Sequence, residues 1–175
     1  MSAIYGNELS NDDILRHKHF RWKTFCLDLD LLTSEPLHAH KLDIEWQDVE
    51  FLKSERHKIE PKQGVYMFSL DIRQRLDLHT TSRYVLYVGQ AIDLQERFMH
   101  YFNYVTSSNP SHFLKRCMVL LWKEKLRFHY FYTGSLSKEE LTQTEFDFID
   151  AVVPPMNNRF RGEVLKNHLK LYSPR

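Results

Sequence analysis

At Gly89 the hydrophobic pattern of the chain changes period. Before it, "RYVLYVG" (83–89) is a run of β-branched and aromatic residues of strand type. After it, Leu94, Phe98, Tyr101, Phe102 and Val105 recur at helical spacing, and Asp93 stands where an N-cap carboxylate belongs. An amphipathic helix following a strand so closely can bury its apolar stripe on the sheet that the strand helps to form. The chain must therefore combine a sheet with packed helices.

The remaining elements extend this pattern. "PKQGVYMFSL" (61–70) reads as a strand, and the polar insert "DIRQRLDLHTTS" (71–82) joins it to 83–89 as an antiparallel hairpin with a long connection. A helix is predicted from about Ser111 in "SHFLKRCMVLLWKEK". A third strand, "LRFHYFYTG", alternates Phe128, Tyr130 and Tyr132, and a last helix in "SLSKEELTQTEFDFIDAVV" ends before Pro154 and Pro155. The order ββααβα predicts an α+β domain with a small three-stranded antiparallel sheet flanked by helices. Upstream of Pro61, "DIEWQDVEFLKSERHK" predicts a helix with Ile44, Val49 and Leu52 on one face. Residues 1–60 are thus expected as a partly helical appendage, 61–158 as the domain, and 159–175 as a basic tail.

Composition excludes several classes. With 175 residues, 42% hydrophobic and 14% aromatic, the chain suits one well-packed domain. Cys26 and Cys117 are far apart and form no C-x-x-C pair, which argues against a disulfide framework or cysteine zinc site and for a reducing cytoplasm. The N-terminus lacks the pattern of a signal peptide, and the longest apolar run, "CMVLL", cannot span a bilayer, so a soluble protein with no membrane role is expected. Five glycines leave no dinucleotide fingerprint and no P-loop. His17, His19, His38 and His40 form two H-x-H pairs without a matching third ligand and are expected as surface residues. A net charge of +1 gives no global attraction to nucleic acid, but the tail carries Arg159, Arg161, Lys166, Lys170 and Arg175 against Glu163. That tail reads either as a solvated terminus or as a cationic strip for a DNA backbone.

Gly64-Val65-Tyr66 heads the first strand and Tyr87-Val88-Gly89 ends the second, so antiparallel pairing can bring both phenols to one sheet face. Arg97 follows Gly89 by eight residues and Tyr101 follows Arg97 by four. Farther on, Glu145 precedes Pro154 by nine residues and Asn157 by twelve in "EFDFIDAVVPPMN". In this ordered set the chain resembles the GIY-YIG nuclease family, including the nuclease domain of excision-repair incision subunits and small endonucleases. The resemblance covers about residues 61–158 and departs in two places. The connection between the triplets is longer than the usual short hairpin, and Gln90 follows the second triplet where the repair enzymes often carry lysine.

Each matched residue suits phosphodiester chemistry. Arg97 offers a planar fork of donors for phosphate oxygens, and Tyr101 lies one helical turn farther along the same edge. Glu145 supplies one carboxylate, enough for Mg²⁺ or Mn²⁺ when DNA phosphates and water complete the coordination. The resemblance implies a metal-dependent DNA endonuclease that leaves 5′-phosphate and 3′-hydroxyl ends. In that reading Tyr66 takes a proton from the attacking water, Arg97, Tyr87 and Tyr101 stabilise charge, and Glu145 holds the metal. Asn157 is expected to tie the chain after the prolines back toward the site by side-chain to backbone bonds. The competing reading from another class is a non-enzymatic nucleic-acid binding or interaction module on the same fold. There the tyrosines are packing residues, Arg97 pairs with Asp93, and Glu145 is a surface side chain. The partner expected is DNA, with a protein partner left open. His100, about 100° of helix rotation from Tyr101, is a poor candidate for a base.

Overall fold

A computed structural model describes residues 44–71 and 84–157. Four antiparallel strands form one sheet: β1 (Gln47–Glu50), β2 (Gly64–Leu70), β3 (Tyr84–Ala91) and β4 (Leu126–Tyr132), in the spatial order β1-β4-β2-β3. Among the described residues three α-helices accompany them: α1 (Leu94–Tyr101), α2 (Phe113–Trp122) and α3 (Lys138–Val152). The α+β class and the ββααβα order from β2 onward agree with the sequence reading. Among the described residues, no helix is long and apolar enough to cross a membrane.

The sheet has four strands, one more than expected, and the difference lies in the segment read as a helix. Residues 47–50 form a strand along β4, with Val49 opposite Phe128, and a short 3₁₀ turn follows at Lys53–Lys58. The apolar spacing of Ile44, Val49 and Leu52 fits a helix, but Leu52 is 43% exposed while Phe51 is only 1% exposed. Tertiary pairing explains the outcome. The outer edge of β4 offers unpaired backbone groups, which β1 satisfies, and an Arg127–Asp48 ion pair links the two strands. Phe51 then stacks on Phe102 with centroids 4.2 Å apart. Two further bonds hold the segment down: the Tyr130 hydroxyl donates to the Lys58 carbonyl, and the Glu60 N–H donates to the Tyr132 hydroxyl. Val49, Phe51 and Ile59 join the main core, so part of the expected appendage is integral to the domain.

The sheet separates two apolar layers. On one face Tyr66, Phe68, Leu86 and Phe128 pack against Leu94, Phe98 and Tyr101 of α1 and Met118 and Val119 of α2. On the other, Val65, Val88 and Phe131 meet Leu141 and Ile149 of α3, with Trp46 edge-on to Phe131 and Phe148. Asp93 caps α1 as expected, accepting a bond from the Glu96 N–H at 2.7 Å. Ser137 and Glu140 form a reciprocal capping box at the start of α3. That helix ends at Val153, whose φ of 49° lies in the left-handed region that β-branched residues rarely occupy. Pro154 and Pro155 follow, and the chain turns back along β3, where the Met156 N–H donates to the Leu86 carbonyl. The strain at Val153 thus sits at the corner that returns Asn157 to the sheet.

Candidate active site

The site begins with the register of β2 against β3, which sets Tyr66 directly opposite Gly89. A Cβ built on Gly89 would lie 2.4 Å from the Tyr66 hydroxyl oxygen and 2.5 Å from its Cζ. Glycine is needed here for space: the phenol of one strand lies across the bare backbone of the other. At the same end of β2, a Cβ on Gly64 would meet the Phe131 carbonyl oxygen at 2.1 Å and Leu94 Cδ1 at 2.6 Å. The glycines of both triplets therefore permit close approaches, one of α1 and β4 to β2 and the other of Tyr66 to β3.

Tyr87 stands beside Tyr66 because of an irregularity in the ladder. Phe68 pairs with Tyr87 and Ser69 with Val85, leaving Leu86 as an extra residue on β3. The Tyr66 and Tyr87 rings are 6.2 Å apart, and Tyr101 of α1 comes within 5.9 Å of the first and 6.4 Å of the second. The Tyr66 and Tyr101 hydroxyls share a hydrogen bond of 3.0 Å. Tyr66 and Tyr101 are buried, whereas Tyr87 is half-buried and is the phenol of the three nearest to solvent.

The electrostatics follow from burial. Desolvation pushes Tyr66 well above the ordinary phenol range and Tyr87 adds to the effect, while Arg97 pulls it back. Tyr101 is raised in the same way, by burial first and then by Tyr66 and Tyr87. Tyr87 is pushed up to about 12 by burial and by the Glu145 carboxylate. All three phenols are neutral near pH 7 and serve there as hydrogen-bond donors. Burial lowers Arg97, but Tyr66, Tyr101 and Tyr104 outweigh it and raise its pKa overall, so the guanidinium stays charged.

The structure thus brings together Tyr66, Tyr87, Arg97, Tyr101 and Glu145 from two strands and two helices. Glu145, in the middle of α3, is close enough to raise Tyr66 and Tyr87. Asp93 is occupied in capping α1. Asn157 makes a two-way bond with the backbone between Tyr87 and Gly89: Val88 N–H donates to Asn157 Oδ1 at 2.9 Å, and Asn157 Nδ2 donates to the Val88 carbonyl at 2.8 Å. It supports the strand from behind. Gln90 is turned to the opposite side, donating to Thr142 Oγ1 of α3 at 3.0 Å. Arg159, Arg161, Lys166 and Lys170, the histidine pairs at 17, 19, 38 and 40, Cys26 and residues 72–82 of the insert lie outside the described residues.

Two residues of this cluster are missing from the sequence reading. Tyr104, in the 3₁₀ turn after α1, is buried edge-on to Tyr101 with centroids 5.0 Å apart and hydrogen-bonds Arg97. Lys115, in the first turn of α2, places its Nζ 5.4 Å from the ring centroids of both Tyr87 and Tyr104. Tyr104 follows Tyr101 by three residues and could have been found from that helical spacing. Lys115 left no such signal, because nothing local shows that α2 packs back toward β3.

Chemically, the cluster offers two cations, one carboxylate and several neutral hydroxyls converging on the glycine end of β3. Such a set can grip a tetrahedral oxyanion and share a proton along linked hydroxyls. Comparison with known proteins finds no matching family model, no matching curated protein and no matching solved structure.

Proposed function

We propose that this protein is a divalent-metal-dependent DNA endonuclease of the GIY-YIG type, hydrolysing phosphodiester bonds to 5′-phosphate and 3′-hydroxyl ends. The observation that carries the reading is the convergence of Tyr66, Tyr87 and Tyr101 around Gly89, beside Arg97 and Glu145. A sheet needs phenols for packing, but packing alone gives no reason to gather an arginine and a glutamate at the same half-buried place.

The donor set fits a hard cation. Glu145 is one carboxylate, and among the described residues no group of three or more His, Cys, Asp or Glu could hold a metal, so the remaining oxygens would come from water and DNA phosphate. When bound, Mg²⁺ or Mn²⁺ supplies positive charge at the phosphoryl oxygens. Arg97 binds two of those oxygens through its fork and holds the phosphorus in line with the attacking water. Tyr87, nearest to solvent, donates a hydrogen bond to the phosphoryl group, and Tyr101 links the hydroxyls of Tyr66 and Tyr87. Tyr66 takes the proton of the water as the new P–O bond forms and passes its own hydroxyl proton to Tyr101 across their shared hydrogen bond and on through Tyr87 to solvent, while the P–O3′ bond breaks and the departing oxygen is protonated from solvent. Burial opposes that role and Arg97 favours it, so Tyr66 accepts the proton only when the site is charged and assembled.

Nicking of supercoiled plasmid by the full chain with Mg²⁺ or Mn²⁺, beside a chelator control, tests the reading. End-labelling of the products then checks the 5′-phosphate. Chelator-resistant nicking, or none at any metal concentration, contradicts it.

A further inference from the structure

We propose that Lys115 is the second phosphate-binding cation of this site, its ammonium contacting a non-bridging oxygen of the DNA strand beside Tyr87. The proposal rests on the nuclease reading and adds to it a substrate contact on α2.

The geometry is specific. Lys115 Nζ stands 5.4 Å from the ring centroid of Tyr87 on β3 and 5.4 Å from that of Tyr104 in the turn after α1, so its stem bridges three elements. A lysine near a helix start ordinarily extends into water, where its long side chain keeps its freedom. This one is held half-buried over two rings at the edge of the catalytic cluster. Contact with ring faces is a modest return for ordering such a chain.

Charge points the same way. Burial disfavours the Lys115 ammonium, nearby Arg97 disfavours it further, and Glu145 favours it. Two cations brought together in a partly desolvated cleft repel one another, and an anion seated between them reverses the sign of that interaction. A backbone phosphate meets that need. Arg97 suits a pair of oxygens through its planar fork, and the compact ammonium of Lys115 suits a single oxygen. Gln90 brings no charge to the cluster and is bonded to Thr142.

The experiment compares wild type, Lys115→Met and Lys115→Arg. Methionine keeps an unbranched apolar stem over the rings, and arginine restores the charge. Duplex DNA binding is measured against salt concentration in chelator, where no cleavage occurs, and single-turnover nicking is measured with Mg²⁺. A lost phosphate contact reduces the slope of log K against log salt by about 0.9, and Lys115→Arg should restore it. Nicking by Lys115→Met should fall roughly 10²-fold, the lower end of the effect of removing one transition-state donor. If wild type nicks and Lys115→Met matches it in slope and rate, Lys115 is only a packing residue and the nuclease reading stands. If wild type binds DNA but never nicks, the nuclease reading fails, and the slope still decides whether Lys115 touches phosphate. A wild type that does not bind DNA overturns both, and a lowered melting temperature with an unchanged slope overturns the lysine contact.

Discussion

The Tyr66 phenol occupies the space that a side chain on Gly89 would fill. The two residues face each other across β2 and β3, and a Cβ on residue 89 would come within 2.4 Å of the phenol oxygen. The glycine that ends the second triplet is therefore a steric partner of the tyrosine that ends the first. Gly89→Ala should displace the Tyr66 ring, separate its hydroxyl from Tyr101 and cost about 1–3 kcal/mol as an overpacked core position. Thermal unfolding checks the stability cost, and nicking should fall far more than the loss of stability explains. A variant with wild-type melting and activity would show that the sheet relaxes freely around the new methyl group.

Tyr66→Phe separates packing from chemistry. The ring keeps its place among Phe68, Phe128 and Tyr101, while the 3.0 Å hydroxyl pair is lost, so stability should fall by only about 0.5–1.5 kcal/mol. The cleavage rate should fall roughly 10²- to 10⁴-fold, the scale of a lost acid-base group. In wild type the rate should climb with pH through neutrality, since the three phenols are all raised above their ordinary value. A variant within a few-fold of wild type and with the same pH profile would make Tyr66 a spacer.

The fold was legible where the hydrophobic period was local. The strand-type run up to Gly89, the Asp93 cap and the stripe of α1 could be read directly, and so could Tyr66 and Tyr87, because each stands two residues from a glycine. β1 was not legible, since Ile44, Val49 and Leu52 carry a helical spacing and the strand exists through its pairing with β4. The site divided in the same way. Arg97 and Tyr101 share one helix edge and declared themselves by spacing. Lys115 approaches Tyr87 only through the packing of α2, which no local pattern encodes.

Asn157 gives a test of the support behind the site. Its side chain satisfies the N–H and C=O of Val88, both of which face the outer edge of β3. Asn157→Ala leaves that buried pair without its partners and should cost about 1–3 kcal/mol. Amide hydrogen exchange at Val88 should speed up with it. Unchanged exchange and melting would mean that water or a neighbouring group replaces the bond fully.

Alkaline titration tests the electrostatics. The folded pKa values of Tyr66 and Tyr101 lie well above the ordinary phenol value and that of Tyr87 is about 12, each raised first by burial. Unfolded tyrosine titrates near pH 10, so above that pH the folded state retains protons that the unfolded state has released. The contribution of these groups to stability is complete below pH about 10 and is lost as pH rises through the folded values. Tyrosinate absorbance should show part of the nine tyrosines titrating late, with urea stability falling above pH about 10. A single transition for all nine near 10 would contradict the buried cluster.

The central claim, hydrolysis organised by Glu145 beside the tyrosines, is tested most directly by the single-turnover nicking rate of Glu145→Gln against wild type in Mg²⁺, on protein matched for melting temperature and DNA affinity. Glutamine keeps the shape of the half-buried side chain and removes the charge that anchors a metal ion. The account predicts loss of nicking by roughly 10²-fold or more with binding retained, the scale set by one lost electrostatic element of a transition state. Nicking by Glu145→Gln at the wild-type rate, with the same Mg²⁺ dependence, would contradict it.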